Sequence, residues 1–180
     1  MPDCLAEFHR RYDGILEPEY MAVCDRYGEV AGAFLDADYA PYTLTHYDYR
    51  LDNMLFDAKG SAVKLVVLDW QSISISSGAL DVSYFFGAGM SMKDRRLHER
   101  GLLNLNLDEL KRYSVQDYGW NELWRDYRVT LFQGVSTAIF ASASTKRTER
   151  GDQMFLTMAR GACAQAIDAD AFTALSAATP

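Results

Sequence analysis

Asp48, Asn53 and Asp69 carry the residue types that phosphoryl transfer to a hydroxyl needs, in order along one short stretch of chain. The first two belong to the run Thr45-His46-Tyr47-Asp48-Tyr49-Arg50-Leu51-Asp52-Asn53, and Asp69-Trp70 follows sixteen residues after Asn53. Such a transfer requires a nucleophile held in line and divalent metal to neutralise phosphate charge, with little covalent chemistry from the protein. Asp48 suits the base: a carboxylate that accepts a hydrogen bond from a hydroxyl orients it and takes its proton as the bond to phosphorus forms. Asn53 offers a neutral carbonyl oxygen and Asp69 a carboxylate, donors that suit Mg²⁺, which also keeps waters and binds substrate phosphates. By residue type alone, Asp48, Asp52 and Asp57 fit turn and cap positions as readily, and Asp69 fits a strand-end cap. Metal-dependent hydrolysis of a phosphate ester by Asp48 and Asp69 is a further chemistry, although two-metal sites usually recruit more ligands.

The strings His46-x-Asp48-x-x-x-x-Asn53 and Leu68-Asp69-Trp70 resemble the catalytic and metal-binding segments of the aminoglycoside phosphotransferase and choline kinase superfamily. The fuller runs over residues 44–56 and 67–71 are most similar to its ecdysteroid-kinase-like and bacterial small-molecule kinase branches. Leu80-Asp81-Val82-Ser83-Tyr84-Phe85 resembles the helix that follows the metal-binding Asp in that superfamily. The resemblance implies an α+β, protein-kinase-like fold, here the C-terminal lobe, mainly helical with a small β-hairpin region carrying the catalytic loop. It also implies ATP as phosphoryl donor, Mg²⁺ as cofactor and a small molecule with a hydroxyl group as acceptor. On the same grounds Asp48 is the catalytic base, Asn53 and Asp69 bind Mg²⁺, and His46 and Asp81 brace the catalytic loop. Arg50 supports that loop as a phosphate ligand or as a salt-bridge partner of Asp52 or Asp81.

Two departures from the family stand out. Tyr47 occupies a position where the family commonly has Gly, so its side chain is expected to crowd the loop or line the acceptor pocket. The family's N-terminal lobe, with its sheet, phosphate-covering loop and strand Lys, should precede the loop. Only 45 residues precede His46, and they read as helices. Gly87-Ala88-Gly89 lacks the spacing of a G-x-G-x-x-G loop, and Lys64 follows the catalytic loop, as a hairpin surface lysine would. The expectation is a single domain over 1–180, with a catalytic segment at about 43–87, a helical subdomain at about 90–170 and no N-terminal nucleotide-binding lobe. Such a chain is a truncated kinase with little activity alone, or an inactive module that binds an acceptor-like ligand or complements a separate lobe. The face where that lobe would dock is expected to be apolar, favouring self-association or a separate N-lobe partner.

The elements that must position these residues are legible in the apolar periodicity. Leu5, Phe8, Tyr12 and Ile15 form one helical stripe, and Tyr20, Cys24, Tyr27, Ala31 and Phe34 a second, with Pro18 between them. Residues 36–41 read as a turn, 42–46 as extended, 53–56 as a short apolar run and 57–61 as a hairpin loop with Gly60 for a positive φ. Residues 62–68 read as a strand with Val63, Leu65 and Val67 on one face, delivering Asp69 at its end. A helix is expected from Ala79, terminated by Gly87 and Gly89, and another capped by Asn106 or Asp108. A long helix is expected over 121–144, then a last one after a break at Gly151-Asp152, with the end from Ala174 frayed.

A net charge of −7 argues against a nucleic-acid partner, and Lys93 to Arg96 and Lys146-Arg147 read as solvated helix faces. Cys4, Cys24 and Cys163 have no ligand spacing and read as reduced thiols. No signal pattern and no apolar run of membrane length is present, so a cytoplasmic protein without a membrane partner is expected. Asp117, Glu122 and Asp126 offer a negative surface that a cationic acceptor would favour, and Trp120, Trp124 and Tyr127 form an aromatic stripe suited to core or acceptor pocket.

Overall fold

The computed structural model describes residues 1–37, 41–57, 60, 62 and 64–178. Parts of the expected turn at 36–41, hairpin loop at 57–61 and strand at Val63 lie outside the described residues, as do Thr179 and Pro180. Helices α1 (Pro2–Tyr12) and α2 (Pro18–Asp36) are followed by strands β1 (Tyr42–Thr45), β2 (Met54–Phe56), β3 (Leu65–Val67) and β4 (Ser74–Ser77). Six helices complete the chain: α3 (Ala79–Gly89), α4 (Met92–Arg112), α5 (Trp120–Thr130), α6 (Phe132–Ser144), α7 (Glu149–Asp168) and α8 (Ala171–Ala178). The fold is thus mostly helical with two small antiparallel sheets, β1–β4 and β2–β3.

The two sheets are nested in sequence. The chain leaves β1, runs through the loop 46–53, makes the β2–β3 hairpin, turns at 68–73 and returns as β4. Because β1 pairs with β4 and Met54 pairs with Val67, the loop and the turn are both held at the open end of the hairpin. Gly60 takes the positive φ (69°) expected of it.

The helices bury one continuous apolar core, in which Phe132, Val135 and Ile139 of α6 and Ala159, Ala162 and Cys163 of α7 are almost fully enclosed. Both N-terminal helices join it: Phe8 and Tyr12 of α1 and the whole expected stripe of α2 are buried, and Tyr27 stacks on Phe132 at 5.5 Å. Ile15 is exposed instead, because it lies in the connection after α1. Gly87 does not terminate α3. It sits where α3 crosses α7, and a Cβ at the facing Gly161 would run into the Gly87 carbonyl oxygen, so the glycines permit the close approach.

Several helix boundaries differ from the periodicity. Helix α4 begins at a Ser91 cap that accepts from the Asp94 N–H and runs through Asn106 and Asp108. Its buried positions are Arg95, Glu99, Leu103 and Leu107, spaced by four, and two charged members conceal the stripe. Arg95 is therefore not on a solvated face: it pairs with Glu99 and Asp168 inside the protein. The long helix at 121–144 is divided at Leu131, next to Thr130, whose hydroxyl bonds back to the carbonyls of Asp126 and Tyr127. Such back-bonding bends helices. Gly151 and Asp152 lie in the first turn of α7, capped by Thr148, rather than breaking it. The C-terminal segment is ordered helix: Ala174 and Leu175 of α8 are buried. Cys24 and Cys163, remote in sequence, bring their free thiols to 3.8 Å. Among the described residues, no helix is long and apolar enough to cross a membrane.

Candidate active site

The loop after β1 hangs from one carboxylate. Asp81, in the first turn of α3, accepts the backbone N–H of His46 at Oδ2 (2.7 Å) and of Tyr47 at Oδ1 (2.8 Å). Burial pushes the Asp81 carboxyl above the usual carboxylate range, and the two N–H donors oppose that shift. At the second anchor the backbone turns into the left-handed region, with Tyr47 at φ 70°. That conformation costs an L-residue about 1–2 kcal/mol, so the loop takes the shape a glycine would give it while keeping a side chain. The Tyr47 carbonyl is fixed in turn by Gln133 Nε2 on α6 (3.3 Å), and Tyr47 is among the residues lining the cavity next to Asp48.

His46 joins the loop to the strand that carries Asp69. Its Nε2 donates to the Leu68 carbonyl (2.7 Å) and its Nδ1 accepts the Asp48 N–H (3.3 Å). Only the tautomer with its proton on Nε2 serves both partners. The Leu68 N–H, on the other side of the same residue, donates to the Asn53 carbonyl (2.8 Å). This bond extends the β2–β3 register by one position, so Leu68 is pinned between the loop's start and its end. Asp69 follows directly, in the left-handed region (φ 61°, ψ 56°), and is exposed at the mouth of the hairpin. The Trp70 ring meets the edge of His46 at 4.8 Å, and its indole N–H bonds Val67.

Asp48 is held by three donors. Oδ1 accepts from Arg50 Nε (3.1 Å) and from the Tyr84 hydroxyl (3.1 Å), and Oδ2 accepts from Asn53 Nδ2 (2.9 Å). Asn53 Nδ2 also donates to the Asp48 carbonyl (2.9 Å). Both partners are acceptors, so the amide nitrogen must face Asp48, and the Asn53 carbonyl oxygen is turned away from it. Arg50 bonds Asp52 as well, and of its two expected carboxylate partners it takes Asp52 and not Asp81. Burial opposes its charge, and the carboxylates of Asp48 and Asp52 more than offset that, so the guanidinium holds its proton more tightly than a free arginine. Burial, then the Asp48 charge, push the Tyr84 hydroxyl well above its ordinary range and keep it a donor.

Asp48 retains partial exposure, with 28% of its side-chain surface open, at the wall of a cavity of about 570 Å³. Gln133 and Thr137 of α6 and Phe140, Met154 and Met158 form much of the remaining wall, and Asp48 and its partner Arg50 are the charged groups among the lining residues. Asp117, Glu122 and Asp126 do not line it; Asp126 is buried and bonded to Tyr118 and Arg125. Trp124 stacks on Trp120 and Tyr127, outside this cavity. Among the described residues, no three His, Cys, Asp or Glu cluster as a ligand set. By donor type, the exposed Asp69 carboxylate and the Asn53 amide oxygen, turned away from Asp48 in a buried side chain, suit a Mg²⁺ ion that completes its shell with water and phosphate and not a closed zinc site.

The structure therefore brings His46, Asp48, Arg50, Asn53 and Asp81 into one hydrogen-bonded network, with Asp69 next in the chain to Leu68, whose backbone bonds both His46 and Asn53. It adds two residues that sequence reasoning missed. Tyr84 lies one helical turn after Asp81, which places both on one side of α3. Gln133 is an amide on an otherwise apolar helix face, a position that demands a partner. Among the comparisons with known proteins, a sequence profile of the ecdysteroid kinase-like family matches residues 5–118. Neither the curated proteins nor the solved structures contain a match.

Proposed function

The chain belongs to the ecdysteroid kinase-like family, and from that premise we propose that it moves the γ-phosphoryl group of ATP to a hydroxyl of a small uncharged acceptor, with Mg²⁺ as cofactor. The observation that carries the reading is the Asp48 carboxylate, clamped by Arg50, Tyr84 and Asn53 and open to a neutral cavity beside the Asp69 turn. The acceptor lies in that cavity with its hydroxyl against Asp48. As the acceptor oxygen bonds to the γ-phosphorus, the bond from that phosphorus to the β–γ bridging oxygen breaks, ADP leaves, and Asp48 takes the hydroxyl proton. The Asn53 carbonyl oxygen and the Asp69 carboxylate hold Mg²⁺, which when bound neutralises phosphate charge. Asp81 and His46 keep the loop in register with the hairpin. Free thiols on Cys4, Cys24 and Cys163 agree with a cytoplasmic setting.

The test is acceptor-dependent release of ADP from Mg·ATP across a panel of neutral and cationic alcohols. Neutral acceptors are expected to respond, and Asp48→Asn to reduce turnover by about 10²–10⁴, the range of general-base assistance. Turnover indifferent to Asp48→Asn contradicts the reading.

A further inference from the structure

The catalytic loop uses only half of the Gln133 amide. Nε2 donates to the Tyr47 carbonyl (3.3 Å) and, at longer range, to the Thr137 hydroxyl (3.4 Å). A carbonyl can only accept, so the amide orientation is fixed and Oε1 is turned away from the Tyr47 carbonyl. Among the described residues, no donor reaches Oε1. Gln133 is only 4% exposed, and a polar side chain so deeply placed is normally paired. Oε1 is not sealed in, however: the enclosed side-chain atoms without a partner are the Tyr27 hydroxyl and Arg95 Nε. What remains accessible of Gln133 opens on the cavity of about 570 Å³ that it helps to line.

The same cavity wall carries Asp48. The Tyr47 carbonyl that Gln133 holds belongs to the peptide leading into Asp48. Tyr84, whose hydroxyl donates to Asp48, also packs beside Gln133, since a Cβ built at Gly134 would stand 3.8 Å from the Tyr84 ring. The carboxylate and the amide are thus tied together by two routes and border one space. Around them Phe140, Met154 and Met158 supply apolar wall. A molecule with one hydroxyl pairs with Asp48 and leaves Oε1 without a donor behind its carbon skeleton. A second hydroxyl removes that loss. Sites built to bond a hydroxyl reject an analogue lacking it far more strongly than apolar pockets reject a missing methylene.

Building on the phosphotransfer reading, we propose that Gln133 determines acceptor specificity: its Oε1 accepts a hydrogen bond from a second hydroxyl of the acceptor, while Asp48 takes the proton of the hydroxyl that is phosphorylated. The acceptor is accordingly a neutral molecule with at least two hydroxyls. Because Nε2 of the same side chain holds Tyr47, one amide links the position of the loop to recognition of the acceptor.

Cyclohexanol and the isomeric cyclohexanediols are matched probes, differing by one hydroxyl on the same ring. The first readout is ADP release from Mg·ATP by wild type and by Gln133→Met, with circular dichroism to verify folding. In wild type, kcat/KM for the preferred diol is expected to exceed that for cyclohexanol by about tenfold or more, and Gln133→Met to bring the ratio near one. A residue that only supports the loop would lower both alcohols alike. A wild-type ratio near one, or a ratio that Gln133→Met leaves unchanged, therefore overturns the proposal. The second readout needs no turnover. In ¹⁵N-labelled protein, the Gln133 side-chain amide signals, identified by their loss in Gln133→Met, are expected to shift with the preferred diol and far less with cyclohexanol. Signals that ignore every diol, or respond equally to cyclohexanol, overturn the proposal. A diol-specific shift without ADP release upholds Gln133 as the group that recognises the second hydroxyl and counts against phosphotransfer instead.

Discussion

Replacing Asp81 by Ala removes the acceptor of two backbone N–H groups at once, those of His46 and Tyr47. Each unpaired buried donor costs about 1–3 kcal/mol. His46 is almost fully buried and belongs at the upper end, whereas Tyr47 is half-buried and belongs at the lower. The expected loss is therefore about 2–5 kcal/mol, a large part of the roughly 5–15 kcal/mol that holds a domain together. With a urea slope of about 2 kcal/mol/M, the unfolding midpoint falls by about 1–2.5 M. Asp81→Asn keeps one carbonyl oxygen for one of the two donors and sets an amide nitrogen against the other. It also relieves the burial of a charge, the force that raises the Asp81 pKa. Its loss should be clearly smaller, about half that of Ala. Equilibrium urea denaturation followed by circular dichroism measures both. A loss below about 1 kcal/mol for Asp81→Ala refutes the reasoning, and so does an Asn variant no milder than the Ala variant.

Three further outcomes follow from the same geometry. Tyr84→Phe deletes the donor to Asp48 Oδ1; a bond to a charged group is worth about 1.5–3 kcal/mol, so acceptor turnover should fall at least about tenfold while ATP affinity holds, as steady-state kinetics would show. Gly161→Ala drives a methyl group into the Gly87 carbonyl where α7 crosses α3; a loss of about 1–3 kcal/mol or more in urea is expected, and an unchanged midpoint excludes the tight crossing. His9 bridges Asp25 (2.6 Å) and Asp13 (2.8 Å), and its pKa is raised, chiefly by the bond to Asp25. A raised folded-state value means the bridge stabilises fully below the ordinary histidine range, near about 6.5, and the contribution is lost as pH rises through the raised value. The stability difference between wild type and His9→Gln should therefore shrink on alkaline titration, and a difference that grows contradicts the assignment.

The placement of the loop was legible in residue order, because Asp48, Asn53 and Asp69 each lie next to a strand or turn that apolar runs reveal. The nesting of the two strand pairs was not, since nothing local in Tyr42–Thr45 announces Ser74–Ser77 as its partner. The stripe of α4 escaped periodicity because Arg95 and Glu99 look like surface residues until Asp168, from α7, supplies their environment. Tyr47 was recognised as unusual where glycine is common, but its accommodation rests on Asp81 and Gln133, contacts 34 and 86 residues away. That Asp117, Glu122 and Asp126 lie away from the cavity beside Asp48 was hidden for the same reason: sequence does not say which face those acids occupy.

The most direct test of the central claim is calorimetric titration of the chain with ATP, with and without Mg²⁺, beside Asp69→Ala. The account predicts binding that requires Mg²⁺ and is abolished by Asp69→Ala in a protein that keeps its fold, because Asp69 is exposed and its side chain makes no capping bond to the turn that follows it. Nucleotide binding that is indifferent to Mg²⁺, or that Asp69→Ala leaves unchanged, would contradict it.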